Sequence, residues 1–174
     1  MERVTHKAYV AVGTNMGNRL LNYRKAVAKI NALDGTRITR ESSLYESEPH
    51  GRARKWFLNG VVEISTEFEA KELLKALQKI ETELGRKKEK KTTVSRVMDL
   101  DILLFDSQVL NGRTLKVPHP EIANRRFVLL PLSELTPAMR HPVLSETIST
   151  LLVTTPDTKK VGLYKPDEEE RRPA

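Results

Sequence analysis

Between Ala70 and Leu84 the apolar residues Leu73, Leu74, Leu77, Ile80 and Leu84 recur at the three-and-four spacing of a single helix face, and Gly85 ends the run. A helix with such a stripe must bury it against another element, and the segments around it read as strands. Tyr9-Val10-Ala11-Val12 is a buried strand that ends in Gly13-Thr14-Asn15-Met16-Gly17-Asn18, a tight turn. Asn18 is placed to cap a second helix, with Leu21, Ala28 and Leu33 among its inward positions. After the Asp34-Gly35 turn, Arg37 to Tyr45 reads as a strand, and a loop with Pro49 and Gly51 follows. Phe57 to Thr66 alternates Phe57, Val61 and Glu63 against Leu58, Val62 and Ile64. Met98 to Phe105 is a further strand, continuing through Asp106-Ser107 towards Val109-Leu110. The prolines of Val117-Pro118-His119-Pro120 exclude a helix interior, and a short helix runs from about Asn124 to Leu135 before Pro137. The order β-α-β-β-α-β predicts an α+β fold, a ferredoxin-like antiparallel sheet with helices packed on its faces. One domain over residues 1–164 and a polar tail over 165–174 that frays are expected.

Composition narrows the function classes. At 174 residues the chain can bury a proper core. It has no cysteine, which excludes disulfides and thiolate metal sites. No signal peptide or spanning segment is visible, so a soluble cytoplasmic protein without membrane partners, and a monomer, is expected. The net charge of +7 calls for an anionic partner, either nucleic acid or a small polyanion. Against an RNA-binding module stand an aromatic content of only 5% and the lack of an aromatic RNA-binding signature on a central strand. The basic residues cluster instead at Arg86, Lys87, Lys88, Lys90 and Lys91, then recur at Arg96, Lys116, Arg125 and Arg126 among acids and histidine.

The sharpest chemical signal is Asp99-Leu100-Asp101 at the head of an apolar strand. Residues i and i+2 project to one side, so two carboxylates lie together and repel unless a cation sits between them. Hard oxygen donors suit Mg²⁺, which takes its other ligands from water and substrate phosphates. A bare pair of this kind is common, and alone it would read as a solvent-facing edge. Here Arg96 lies three residues upstream, and the Val117 to Leu132 block adds His119 in a rigid proline-flanked turn and Arg125. Arginine grips phosphate oxygens with two donors, and histidine donates to phosphate or carries a proton.

These pieces resemble the 6-hydroxymethyl-7,8-dihydropterin pyrophosphokinases, in that family's order, over roughly Ala8 to Leu152. They are Val12-Gly13-Thr14-Asn15-Met16-Gly17-Asn18, the run Ser42 to Gly51, Phe57-Leu58-Asn59, Gln78-Lys79-Ile80-Glu81 with Gly85-Arg86, Arg96 to Phe105, and Val117 to Leu132. The resemblance implies pyrophosphate transfer from ATP to the pterin's hydroxymethyl group, with release of AMP. It implies that Asp99 and Asp101 hold two Mg²⁺ ions. Arg86, Lys88, Arg96, His119 and Arg125 would handle the phosphates. Gln78, Glu81, Ile102 and Lys116 would join Lys88, Arg96, His119 and Arg125 around ATP. Phe57 and Phe127 would sandwich the pterin, a flat heterocycle that stacks on aromatic faces. Asn59 would read its edge, with Ser47 and His50 completing it. The partners expected are therefore ATP and a dihydropterin, not nucleic acid. The chain departs from the family where a basic residue and W-G-P-R normally precede the D-x-D: it has Thr92-Thr93-Val94-Ser95-Arg96, keeping the arginine alone. The preceding loop, Arg52 to Trp56, also lacks the usual Q-P-D.

Overall fold

A computed structural model describes residues 3–49, 55–85 and 97–166. Its frame is an antiparallel sheet of β1 (His6–Thr14), β2 (Thr36–Glu41), β3 (Tyr45–Ser47), β4 (Phe57–Thr66), β5 (Asp99–Phe105) and β8 (Val161–Leu163). The spatial order is β5-β1-β4-β3-β8, and β2 also pairs with β4. Two short strands, β6 (Leu110–Asn111) and β7 (Lys116–Val117), make a separate hairpin. Among the described residues the α-helices are α1 (Arg19–Asn31), α2 (Ala70–Glu83), α3 (Arg126–Leu135) and α4 (Ile148–Thr154). None of them is long and apolar enough to cross a membrane. The result is a mixed helix and antiparallel-sheet fold.

Strand alternation divides the apolar residues between two cores. Ala8, Val10 and Val12 of β1, Leu58, Val62 and Ile64 of β4, and Leu100 and Ile102 of β5 pack with α1 and α2. Tyr9, Val61, Leu103 and Leu104 pack on the opposite face with α3 and α4. The helical stripe of α2 does what its spacing demands: Leu73, Leu77 and Ile80 are buried, each worth about 1.5–3 kcal/mol of apolar transfer. In β5 a register shift opposite Tyr9 and Val10 leaves Leu103 as an extra residue, so Leu103 and Leu104 both turn to the α3 face.

Several sequence expectations need correction. The buried residues of α1 are Leu20, Tyr23, Ala26 and Ile30, whereas Leu21 and Ala28 are exposed. Leu33, the third expected inward position, lies just past the helix and packs partly buried against the α1/α2 core, so the expected stripe fails at Leu21 and Ala28. Asn18 does cap the helix, accepting from Leu21 N at 3.0 Å. The expected strand from Arg37 to Tyr45 is two strands. Ser42 stands at the break: its N–H donates to Val61 O and its hydroxyl accepts from Val61 N, both at 2.9 Å, so a side chain replaces one rung of the ladder. The turn expected from Gly13 starts later, because Gly13 and Thr14 still belong to β1. Nor does β5 continue past Phe105, since Asp106 turns the chain with φ +47°. The expected helix from Asn124 splits into a 3₁₀ turn (Ile122–Asn124) and α3. The pairing of β8 with β3 had no expectation behind it. Of the tail, residues 167–174 lie outside the described residues.

Asp106 also anchors the start of β1. Its carboxylate accepts from Lys7 N at 2.8 Å and lies 2.6 Å from His6 Nδ1, while Glu69 approaches His6 Nε2 at 3.3 Å. The bond to Asp106 raises the His6 pKa against the opposing effect of burial. A raised folded-state value means that this stability is fully present below about pH 6.5 and fades as pH rises through the folded-state pKa. His6→Gln is therefore expected to cost more stability at pH 5.5 than at pH 8.5. Urea denaturation of both proteins at the two pH values checks this, and an equal gap at both would contradict it.

Candidate active site

The face of the sheet that carries α3 is only partly covered. Towards the Gly13 end of β1 a cleft of about 460 Å³ opens on it. Its floor is the side-chain row of three neighbouring strands: Ala11 and Gly13 from β1, Phe57 and Asn59 from β4, Asp99, Asp101 and Leu103 from β5. Ser47 of β3, His119, Arg125, and Phe127 and Val128 from the first turn of α3 complete its lining.

Local chemistry sets each position. Gly13 and Asn59 are register partners, and a Cβ on Gly13 would come within 3.1 Å of Asn59 Oδ1. The missing side chain leaves room for the Asn59 amide, which is itself oriented by donation to Ser47 Oγ at 2.7 Å. Both Asn59 and Ser47 are buried, so this bond fixes a polar edge of the cleft. Gly60 behind them is required for packing, because a Cβ there would stand 2.2 Å from the buried Tyr23 hydroxyl.

Asp99 and Asp101 share the cleft face of β5 while Leu100 points into the core. The backbone between them is tied from behind: Glu81 of α2, buried, accepts from Leu100 N at 2.8 Å. Among the described residues no three His, Cys, Asp or Glu side chains gather as a metal cage. Two hard carboxylates on one strand face nevertheless fit Mg²⁺, an ion that keeps waters and shares substrate phosphates.

His119 enters from a turn in which Val117-Pro118 is a cis peptide. Its N–H donates to Leu103 O at 2.8 Å, and its Nδ1 accepts from Glu121 N at 3.1 Å. That acceptance assigns the neutral ring's proton to Nε2. Burial, and then the neighbouring Arg125 charge, push the His119 pKa down, so the ring is neutral at pH 7. Arg125 lies over the Phe127 ring, its Cζ 5.7 Å from the centroid.

The structure thus brings Ser47, Phe57, Asn59, Asp99, Asp101, His119, Arg125 and Phe127 to one cleft. Other expected site residues stand apart. The Ile102 side chain is buried in the core on the α1/α2 face, because it alternates with Asp101 and Leu103. Gln78 is exposed on α2 and Lys116 on β7, neither lining the cleft, and the Glu81 carboxylate is engaged with the strand backbone. Trp56 is 40% exposed, with its carbonyl accepting from Arg19. His50, Arg86, Lys88 and Arg96 lie outside the described residues, as does the Thr92-Thr93-Val94 stretch. The sequence reading passed over Gly13 and Leu103. Both carried a signal: a glycine in a strand marks close backbone approach, and Leu103 continues the i, i+2 series from Asp99.

Residues 9–137 match the family model for 7,8-dihydro-6-hydroxymethylpterin-pyrophosphokinase (HPPK). The 2-amino-4-hydroxy-6-hydroxymethyldihydropteridine pyrophosphokinase of Bacillus subtilis is 43% identical over 129 residues, covering 74% of this chain and 77% of the relative. The protein of the same name from Pseudomonas aeruginosa is 41% identical over 137 residues, covering 78% and 84%. A crystal structure of Plasmodium falciparum HPPK-DHPS superposes with a TM-score of 0.70 at 18% identity. It covers 87% of this chain and 44% of that one, a likeness that shows the fold.

Proposed function

This chain belongs to the 7,8-dihydro-6-hydroxymethylpterin-pyrophosphokinase family, and from that premise we infer that it transfers pyrophosphate from ATP to 6-hydroxymethyl-7,8-dihydropterin in folate biosynthesis. The observation that carries the reading is that one cleft is lined by two strand-mate carboxylates, a buried amide and two aromatic side chains. One end suits a metal-bound polyphosphate and the other a flat heterocycle.

The hydroxymethyl oxygen attacks the β-phosphorus of ATP and forms a new O–P bond; the bond from that phosphorus to the oxygen bridging it to the α-phosphorus breaks, AMP leaves with that oxygen, and the hydroxyl proton passes to water. Positioning and charge neutralisation supply most of such catalysis. Phe57 and Phe127 hold the pterin ring from its two faces, and Asn59, locked by Ser47, reads its donor and acceptor edge. His50 completes that edge. Asp99 and Asp101 would hold two Mg²⁺, which when bound neutralise the phosphate charge. Arg125 and the Nε2–H of His119 donate to phosphate oxygens. Arg86, Lys88 and Arg96 add positive charge from the segment before β5. On the nucleotide side, Glu81 acts by fixing the Asp99–Asp101 backbone, Ile102 through its main chain, and Gln78 and Lys116 from the rim.

The strand order β5-β1-β4, with β2 also paired to β4 and α1 and α2 on one face, supports reading the sheet as ferredoxin-like. Residues 1–164 would form one domain around it, working as a monomer.

The test is a coupled assay for AMP with ATP, Mg²⁺ and the dihydropterin. AMP is expected only when all three are present. ATP consumption independent of the pterin, or none at all, would overturn the reading.

A further inference from the structure

The segment from Thr155 to Tyr164 lies beyond the span of the family model, 9–137, yet it is bonded to elements on both sides of the cleft, the start of α3 and strand β3. At one end it holds the start of α3. The helix has no side-chain cap of its own and no acidic residue in its first turn. Asp157 takes that place from 31 positions away, its Oδ2 accepting from Arg126 N at 2.8 Å. Asp157 is itself held: its Oδ1 accepts from Lys159 N at 3.0 Å, and its N–H donates to Thr155 Oγ1. The Thr155 hydroxyl in turn donates to Ala123 O at 2.8 Å, just ahead of Arg125.

At its other end the segment continues β3, the strand of Ser47. Val161 pairs with Ser47 and Leu163 with Tyr45. Lys160 O accepts from Glu48 N, Lys160 N donates to the Glu48 carboxylate, and Tyr164 N donates to Leu44 O. One short length of chain is thus bonded on one side to the residue between Arg125 and Phe127, and on the other to the strand that orients Asn59.

We propose that Asp157 is a positioning residue for the pterin site: through Arg126 N it fixes the first turn of α3, and the strap from Thr155 to Tyr164 thereby sets the gap between the Phe127 wall and the Ser47–Asn59 edge. The proposal rests on the pterin-binding reading above. A carboxylate at a helix start both satisfies an orphan N–H and complements the helix dipole. Its loss frees the first turn, and with it Phe127, while Asp99 and Asp101 on β5 stay in place.

The experiment compares wild type, Asp157→Ala and Asp157→Asn by steady-state kinetics and by hydrogen exchange of the Arg126–Leu129 amides. Removing a cap of this kind is expected to raise the KM for the dihydropterin about fivefold, with the KM for ATP within twofold of wild type. Asn keeps an acceptor oxygen and should recover most of the loss. Exchange at Arg126 should quicken in the alanine variant and not in the asparagine one. Unchanged pterin KM, equal rises for both substrates, or an asparagine variant as impaired as alanine would each overturn the proposal. If Asp157→Ala does not fold, Thr155→Val, which removes the hydroxyl that ties the Asp157 backbone N–H to Ala123 O, carries the same test. Should wild type form no AMP, the functional reading falls, and the exchange readout still decides whether Asp157 holds the α3 start.

Discussion

Asp99→Asn and Asp101→Asn enzymes are each expected to lose about 10²-fold or more in turnover while melting close to wild type. The two carboxylates share one strand face at the cleft, and Leu100 between them points the opposite way into the core. Asparagine preserves shape and much of the hydrogen bonding but removes the charge that a magnesium–polyphosphate substrate requires. Losing one pre-placed electrostatic contact to a reacting centre commonly costs 10²–10³ in rate. The fold should tolerate the change, because neither residue belongs to either core cluster. Turnover and thermal melting of both variants check this. AMP formation near the wild-type rate in both would sink the metal assignment, and a large fall in melting temperature would mark the pair as structural.

Phe127→Ala should weaken the dihydropterin far more than ATP. Phe127 lies in the first turn of α3 and lines the cleft, half-buried, with the Arg125 guanidinium over its ring. It packs only at the margin of the α3 core, so truncation should cost that core little. If stacking on a nucleic-acid base is a fair guide, the loss is about 1–3 kcal/mol, or roughly 5- to 150-fold in pterin KM. The KM for each substrate is measured with the other saturating. Equal losses for ATP and pterin would mean that the slot lies elsewhere.

How much of this was legible beforehand depended on the range of the interactions involved. The α2 stripe needs only residues within four positions, and helix α2 runs from Ala70 to Glu83 as its spacing says. The Asp99–Leu100–Asp101 alternation is equally local. Helix α1 was placed correctly by its Asn18 cap but phased wrongly. Leu21 and Ala28 are as apolar as Leu20 and Ala26, and only the sheet beneath decides which of them is covered.

The amino-acid sequence by itself determined the type and approximate place of β1, α1, β4, α2 and β5, the cap of α1, and the projection of two carboxylates from one strand, since all follow from periods of 2 and 3.6 and from nearest neighbours. The tertiary structure alone decided the rest. Gly13 met Asn59 across a ladder, β5 stopped at Asp106 because His6 and Lys7 hold that carboxylate, and Glu81 reached across to Leu100 N. Asp157 came to cap a helix that begins 31 residues before it. These are contacts between residues far apart in the chain. They exist only once apolar burial has packed the sheet against its helices, because no local preference can offset the entropy of closing such loops.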